Sequence, residues 1–212
     1  MKAKKFAFDL PNISESSIEE DDTINSASKR IWMTSEKIFI RVPEVIDSDF
    51  YDEVSAYLLE LIISKDTSDI VLLVDSEGGE VDPTIDVYNL LQAMDNKIIT
   101  VAFNKCCSAA CVLFALGDER YFLRDTTYIL HQIRAIFPLK QQMQTTELKE
   151  FADSFEDCQN NYKQIISTRT KIPKNKLKTI FSSLEDTFFT EKEIIKYNIA
   201  TQIFSKFSEI PL

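Results

Sequence analysis

The run Ile70-Val71-Leu72-Leu73-Val74, then Ser76-Glu77-Gly78-Gly79, then a helical pattern from Pro83 to Met94, constrains this chain more than any other stretch. A continuous apolar run with β-branched members reads as a strand buried on both faces. The helical stretch sets Ile85, Val87, Tyr88, Leu90, Leu91 and Met94 at helical spacings. Pro83 lies near its first turn, where a missing N–H costs nothing. The link between strand and helix is a glycine pair, in a chain of 212 residues whose three glycines are Gly78, Gly79 and Gly117. Glycine permits positive φ and close backbone approach, so the pair marks a sharp turn with exposed amides. The same logic repeats at once. Ile98 to Phe103 reads as a strand, and Ser108 to Leu116 as a short apolar helix that begins at Ser108 and is stopped by Gly117.

Upstream, Ile38-Phe39-Ile40-Arg41-Val42 reads as an early strand. Ser48 to Ser64 reads as a helix with Phe50, Val54, Tyr57, Leu58, Leu61 and Ile62 on one face, capped by Asp47 or Ser48. Alternation of strands and helices predicts an α/β fold with parallel pairing and right-handed crossovers. Downstream, Gln141 to Thr170 is a long helical pattern with Leu148, Phe151, Phe155, Cys158, Tyr162 and Ile165 or Ile166 at three- and four-residue steps; such a stripe is ordinarily core. Pro173 breaks the pattern, Lys174 to Ser182 forms a further helix, and Thr190-Glu191-Lys192-Glu193 is a capping box that opens the last one. Residues 1–30 are a polar segment crowded with Ser14, Ser16, Ser17, Glu19, Glu20, Asp21 and Asp22, expected to be a flexible or processed tail. Residues 31–212 are expected to form a single domain with a substantial core.

Composition narrows the function. Twenty-four basic against 34 acidic residues give a net charge of −10, which argues against a phosphate-binding surface and hence against nucleic acid. No run of about 18 apolar residues is present, and the basic opening Met1 to Lys5 leads into acidic rather than apolar sequence, so neither a membrane span nor a signal peptide is expected. Cys106, Cys107, Cys111 and Cys158 match no zinc spacing and are too few for a disulfide framework. Reduced thiols in a cytoplasmic protein are the economical reading.

Ser108 has an ordinary explanation as a helix N-cap. Three features add a chemical one. Backbone N–H groups at a helix start favour negative charge beside the hydroxyl. The Gly78-Gly79 turn closes the adjacent strand, and ligands in parallel sheets collect beyond the strand ends. His131, the one histidine of the chain, follows the apolar segment Tyr128-Ile129-Leu130, which places it at the end of a buried strand.

Three segments, Asp75-Ser76-Glu77-Gly78-Gly79, Cys106-Cys107-Ser108-Ala109-Ala110 and Ile129-Leu130-His131-Gln132, together resemble the proteolytic subunit of the Clp protease. That family carries a Ser-Pro-Gly-Gly turn, an Ala-Ser-Met-Gly-Ala-type nucleophile helix and an Ile-His-Gln tripeptide. Asp186-Thr187-Phe188-Phe189-Thr190 resembles the family's Asp-Arg-Phe-Leu-Ser segment, and the similarity extends from about Lys37 to Phe204. The resemblance implies a ClpP/crotonase-like α/β fold of repeated β-β-α and βα units with a long handle helix, in which Gln141 to Thr170 would be the handle. It implies a triad of Ser108, His131 and Asp186, with Asp186 accepting the Nδ1–H of His131 and fixing the tautomer that takes the Ser108 proton. The oxyanion donors would be the amides of Gly79 and Ala109, with Gly78 supporting the turn. Cys107 is a rival nucleophile by proximity, but its direction around the helix differs by about 100° from that of Ser108.

The resemblance further implies a subunit of two stacked heptameric rings that cleaves polypeptides fed to it by a Clp ATPase unfoldase. No cofactor or metal is implied. Two departures stand out. Ile133-Arg134-Ala135-Ile136-Phe137-Pro138 replaces the Gly-rich segment that often follows Ile-His-Gln, and Val71 and Leu73 replace the tyrosines that commonly line the ATPase docking pocket. The change at Val71 and Leu73 is compatible with a phage-type maturation protease of narrower substrate range. A further alternative is a catalytically inactive ring subunit that scaffolds or gates active partners, since activity depends on whether the long helix and its neighbour order the triad on assembly. Acyl-CoA chemistry by crotonase analogy is disfavoured by the acidic charge. A Ser-Lys signal peptide peptidase is disfavoured by the His-Gln motif and the lack of a span.

Overall fold

The structure, a computed structural model, describes residues 30–135 and 144–212. The expected tail through Lys29, the last three residues of the segment that replaces the Gly-rich one (136–138) and the first three of the expected long helix (141–143) lie outside the described residues. In chain order the fold begins with β1 (Ile31–Met33), β2 (Lys37–Val42), β3 (Val45–Ile46) and α1 (Ser48–Ser64). The central units follow: β4 (Asp69–Ser76), β5 (Gly78–Gly79), α2 (Val81–Gln92), β6 (Ile98–Cys107), α3 (Ala110–Leu116), β7 (Glu119–Leu123) and β8 (Thr127–Leu130). The last part comprises α4 (Thr145–Arg169), α5 (Lys174–Ile180), β9 (Thr187–Phe188), α6 (Glu191–Lys196), β10 (Gln202–Phe204) and a 3-10 turn at Phe207–Glu209.

The main sheet runs β1-β2-β4-β6-β7-β10, with β8 branching from β6 and β9 pairing with β8. Pairings are parallel except for β1 with β2 and β8 with β9, as the βα alternation requires. One sheet face is buried under the helices, where Phe50, Leu58, Val87, Leu91, Phe114 and Ile166 join the strand residues of the larger core. On the other face a smaller cluster of Val71, Ile99, Val101 and Tyr121 is covered by the C-terminal segment through Phe204 and Ile210. Burial on both sides explains why β4 is continuously apolar rather than alternating.

The feature of β6 that matters for the site is a change of partner. Ile99 to Ala102 pair with β7, whereas Lys105 to Cys107 pair with β8. Between them Asn104 takes a left-handed conformation, φ 63°, and the register against β4 shifts between Val74 and Ser76. The Asn104 side chain donates to Asp75 Oδ1 at 3.0 Å and fixes this bend. A bulge of this kind re-aims the end of a strand, and here it turns the end of β6 toward β8.

The helix α4 has 25 residues, about 37 Å at 1.5 Å per residue. It is buried only at Tyr162, Ile165 and Ile166. Its first turn and Leu148 are exposed, and Phe151 and Phe155 are half-buried and tilted against each other at 4.6 Å. Its apolar stripe is therefore core in the last two turns only.

Candidate active site

Cys107 ends β6 and Ala110 begins α3, so the turn between them is Ser108-Ala109. Ser108 is not the N-cap expected from the sequence. Ala109 holds that position, without a side-chain cap bond. Ser108 instead sits in the left-handed region, φ 55°. Its N–H donates to Ile129 O at 2.9 Å and its carbonyl accepts from Cys111 N–H at 3.0 Å. A non-glycine residue held there costs of order 1–3 kcal/mol, and such strain clusters where a side chain must be presented in one direction. A half-buried serine on a strained strand-to-helix turn has the form of a nucleophile elbow.

The glycine pair packs against this turn. Gly78 has φ 95° and Gly79 φ 155°. A Cβ on Gly78 would lie 2.6 Å from Cys107 O, 2.8 Å from Ser108 Cβ and 2.9 Å from Ala109 N. A Cβ on Gly79 would meet Ile46 O at 2.1 Å. Gly78 thus approaches the serine turn and Gly79 approaches β3. Ser76, fully buried, holds the turn by accepting from Gly78 N–H at 3.1 Å and donating to Glu44 O at 3.2 Å. Gly117 differs: it ends α3 at φ −55°, not left-handed, and its side-chain space is taken by Thr100 Oγ1, 2.5 Å from an added Cβ.

His131 follows β8 directly and is half-buried. The parallel pairing Cys107 with Ile129 brings its strand alongside Ser108. On the other side β8 pairs antiparallel with β9, Ile129 opposite Phe188 and Leu130 opposite Thr187. One further step of that register would set Asp186 across from His131. The carboxylate, however, pairs with the Arg134 guanidinium, and His131 Nδ1 lies 2.6 Å from Gln132 O. The segment between is tied to α4, because Ile133 N–H donates to Gln159 Oε1 at 3.1 Å. Sequence reasoning did not assign Ser76, Arg134 or Gln159. Arg134 was visible as a charged residue in a segment where Gly is usual, but its partner lies 52 residues away.

The rival nucleophile fares poorly on chemistry. Burial, with further contributions from Cys111 and Glu77, pushes the Cys107 thiol up to about 12. Burial also raises Cys106, whose Sγ lies 4.0 Å from that of Cys111. The reactive species of cysteine is the thiolate, so a thiol held this way is inert near neutral pH. Among the described residues no group of three or more His, Cys, Asp or Glu side chains could hold a metal ion. No helix among them is long and apolar enough to cross a membrane.

Comparison with known proteins decides the lineage: the Clp protease family matches residues 21–207. The chain belongs to the Clp protease family. It is 27% identical over 166 residues to the ATP-dependent Clp protease proteolytic subunit 2 of Tropheryma whipplei, covering 76% of this chain and 87% of that one. It is 24% identical over 201 residues to the ATP-dependent Clp protease proteolytic subunit of Carsonella ruddii, covering 93% and 97%. The corresponding subunit of Cyanophora paradoxa is 27% identical over 164 residues, covering 76% and 81%. The mixed α/β architecture described above is that of the ClpP fold, and the family is one of peptidases.

Proposed function

We propose that this Clp-family chain is a serine-type endopeptidase in which Ser108 is the nucleophile, His131 the general base and then acid, and Asp186 the group that orients the imidazole. The observation that carries this reading is the strained turn at Ser108, tied by its own N–H to Ile129 on the strand that directly precedes His131. A serine hydroxyl is a poor nucleophile until a base takes its proton in the attack. His131 returns that proton to the leaving amine, and water then repeats the sequence on the acyl-enzyme.

Charge developing on the scissile carbonyl oxygen needs donors already in position. We assign these to the amides of Gly79 and Ala109. The Gly78 amide is engaged by Ser76 Oγ and the Glu80 amide by Ile46 O. Loss of one such donor costs about 3 kcal/mol of transition-state stabilisation. Loss of the Ser108 hydroxyl costs roughly a factor of 10⁴ to 10⁶ in turnover.

In this reading the substrates are unfolded polypeptides cleaved in the chamber of two stacked heptameric rings in the cytoplasm, with the exposed half of α4 available for contacts between subunits. Delivery by a Clp ATPase is part of the same reading, supported by the names of the relatives. A second reading, a ring subunit that scaffolds without cleaving, is favoured by one observation: Asp186 is paired with Arg134 rather than with His131.

A fluorophosphonate probe and a size measurement test the proposal. The native chain should be labelled, Ser108→Ala and His131→Ala should not, and the particle should be far larger than the 24.4 kDa chain. Labelling that persists in Ser108→Ala removes the nucleophile assignment. A labelled monomer removes the chamber and keeps the chemistry.

A further inference from the structure

Two would-be partners stand opposite each other and are both engaged elsewhere. The β8–β9 register pairs Leu130 with Thr187, and one further step would set Asp186 across from His131, yet Asp186 Oδ1 accepts from Arg134 Nη2 and His131 Nδ1 faces the carbonyl of Gln132 at 2.6 Å. An Nδ1–H serves one strong acceptor at a time, and in that position it donates to Gln132 O rather than to a carboxylate. In that arrangement the imidazole lacks the neighbouring negative charge that stabilises the imidazolium. Arg134 holds that charge. Its side chain is 52% exposed and that of Asp186 37%, so the pair is solvated and readily exchanged rather than locked in a core.

We propose that Arg134 is a positioning residue for the reaction described above: a latch that competes with His131 for Asp186 and must let go before the triad is complete. This inference rests on the serine-peptidase reading. The exchange breaks the Arg134–Asp186 pair and the His131–Gln132 contact and makes one Nδ1–H···carboxylate bond, with no covalent change. The backbone constrains its extent. Ile133, between the two competing side chains, is fixed by its N–H bond to Gln159 Oε1. Arg134 therefore lets go by side-chain rotation, with no shift of the strand end.

The test measures the rate of fluorophosphonate labelling of the full chain in four variants, Arg134→Gln, Arg134→Lys, Asp186→Asn and Arg134→Gln with Asp186→Asn, beside the native protein and Ser108→Ala. A half-exposed ion pair supports an acceleration of roughly two- to five-fold on its removal. Arg134→Gln should be labelled faster than native by that factor, Arg134→Lys should stay near the native rate, and Arg134→Gln should bring no acceleration where Asp186 is already Asn. Raising salt should accelerate the native chain and leave Arg134→Gln unchanged, because screening weakens a solvated pair. Damage to the fold lowers the rate and cannot produce this pattern. The latch is overturned if Arg134→Gln is labelled no faster than native, if it is slower and rescued by Lys, or if it accelerates equally without Asp186. Absence of Ser108-dependent labelling from every variant overturns the catalytic reading as well. Ser108-dependent labelling of the native chain that Arg134→Gln leaves unaccelerated overturns the latch alone.

Discussion

Replacing Gly78 by alanine tests the geometry of the site where backbone and nucleophile meet. Two costs add. At φ 95° an L-residue is strained, and left-handed conformations cost roughly 1–2 kcal/mol. The new methyl would also meet Cys107 O at 2.6 Å, Ser108 Cβ at 2.8 Å and Ala109 N at 2.9 Å. None of these is the end of a flexible side chain, so the serine turn itself has to move, and overpacking of this kind costs about 1–3 kcal/mol. The sum is about 2–5 kcal/mol of stability, read from urea unfolding of Gly78→Ala against native protein. Because the displaced atoms include Ser108 Cβ and the Ala109 amide, fluorophosphonate labelling should fall at least roughly tenfold under conditions where the variant is folded, since misplacement by an ångström or less has effects of this order. Gly117→Ala is the control. Its φ of −55° carries no strain, and its clash is with Thr100 and Glu119, away from the serine. It should lose stability and keep its labelling. A Gly78→Ala protein within about 0.5 kcal/mol of native, the ordinary range for neutral surface changes, and labelled at the native rate would refute the packing argument.

Other expectations follow from single contacts. Cys107→Ser should retain labelling, and iodoacetamide should leave Cys107 unmodified in the folded protein at pH 8, because its thiol is held up at about 12. Glu193 accepts from Lys176 and from the Thr190 amide, which lowers its carboxyl from 4.5 to about 2. Its contribution is therefore complete above about pH 4.5 and disappears as pH falls toward 2, so urea midpoints of native protein and Glu193→Gln should differ at pH 6 and converge near pH 2. Thr190→Ala, which removes the hydroxyl that caps α6, should cost about 1 kcal/mol in the same assay. Arg120→Met leaves the carbonyls of Gly117, Asn198 and Ile199 without the guanidinium that now donates to each. At about 1 kcal/mol or more per unsatisfied group this costs roughly 3 kcal/mol, seen as a lower unfolding midpoint.

Much of the scaffold was legible because local chemistry and tertiary burial agree there. The helix read as Ser48 to Ser64 has those bounds, with Asp47 Oδ1 accepting from Phe50 N–H at 3.0 Å as its cap. The capping box at Thr190 and Glu193 is present on both sides. Asn198, just after α6, takes up the left-handed conformation at φ 49°. β7 was not read as a strand because Glu119 and Arg120 mask its pattern, and the burial of Arg120 is made possible by carbonyls from residues 78 and 79 positions away in sequence. Ser108 was legible as a helix start and not as a left-handed turn, since nothing in Cys107-Ser108-Ala109 demands positive φ. That conformation follows from the bend at Asn104 and the bond from Ser108 N–H to Ile129 O, both consequences of β6 changing partners.

The three candidate catalytic residues are not equally well held, and strand pairing explains why. Ser108 and His131 terminate or follow strands embedded in the larger core, where Cys106, Tyr128 and Leu130 are buried. A one-residue slip of β8 against β6 would turn Leu130 and Tyr128 out of that core, so their register is strongly determined. Asp186 depends on β9, two residues long with Phe188 65% exposed. β9 is anchored mainly by Phe189, whose N–H donates to Tyr128 O at 3.1 Å and whose ring stands perpendicular to the Tyr128 ring at 5.5 Å. The anchor lies three residues beyond the carboxylate, which leaves the position of Asp186 to be decided by whichever cation or donor reaches it. Among the described residues that is Arg134. A site with two members fixed by the core and a third decided by a solvated ion pair has its control point at the third.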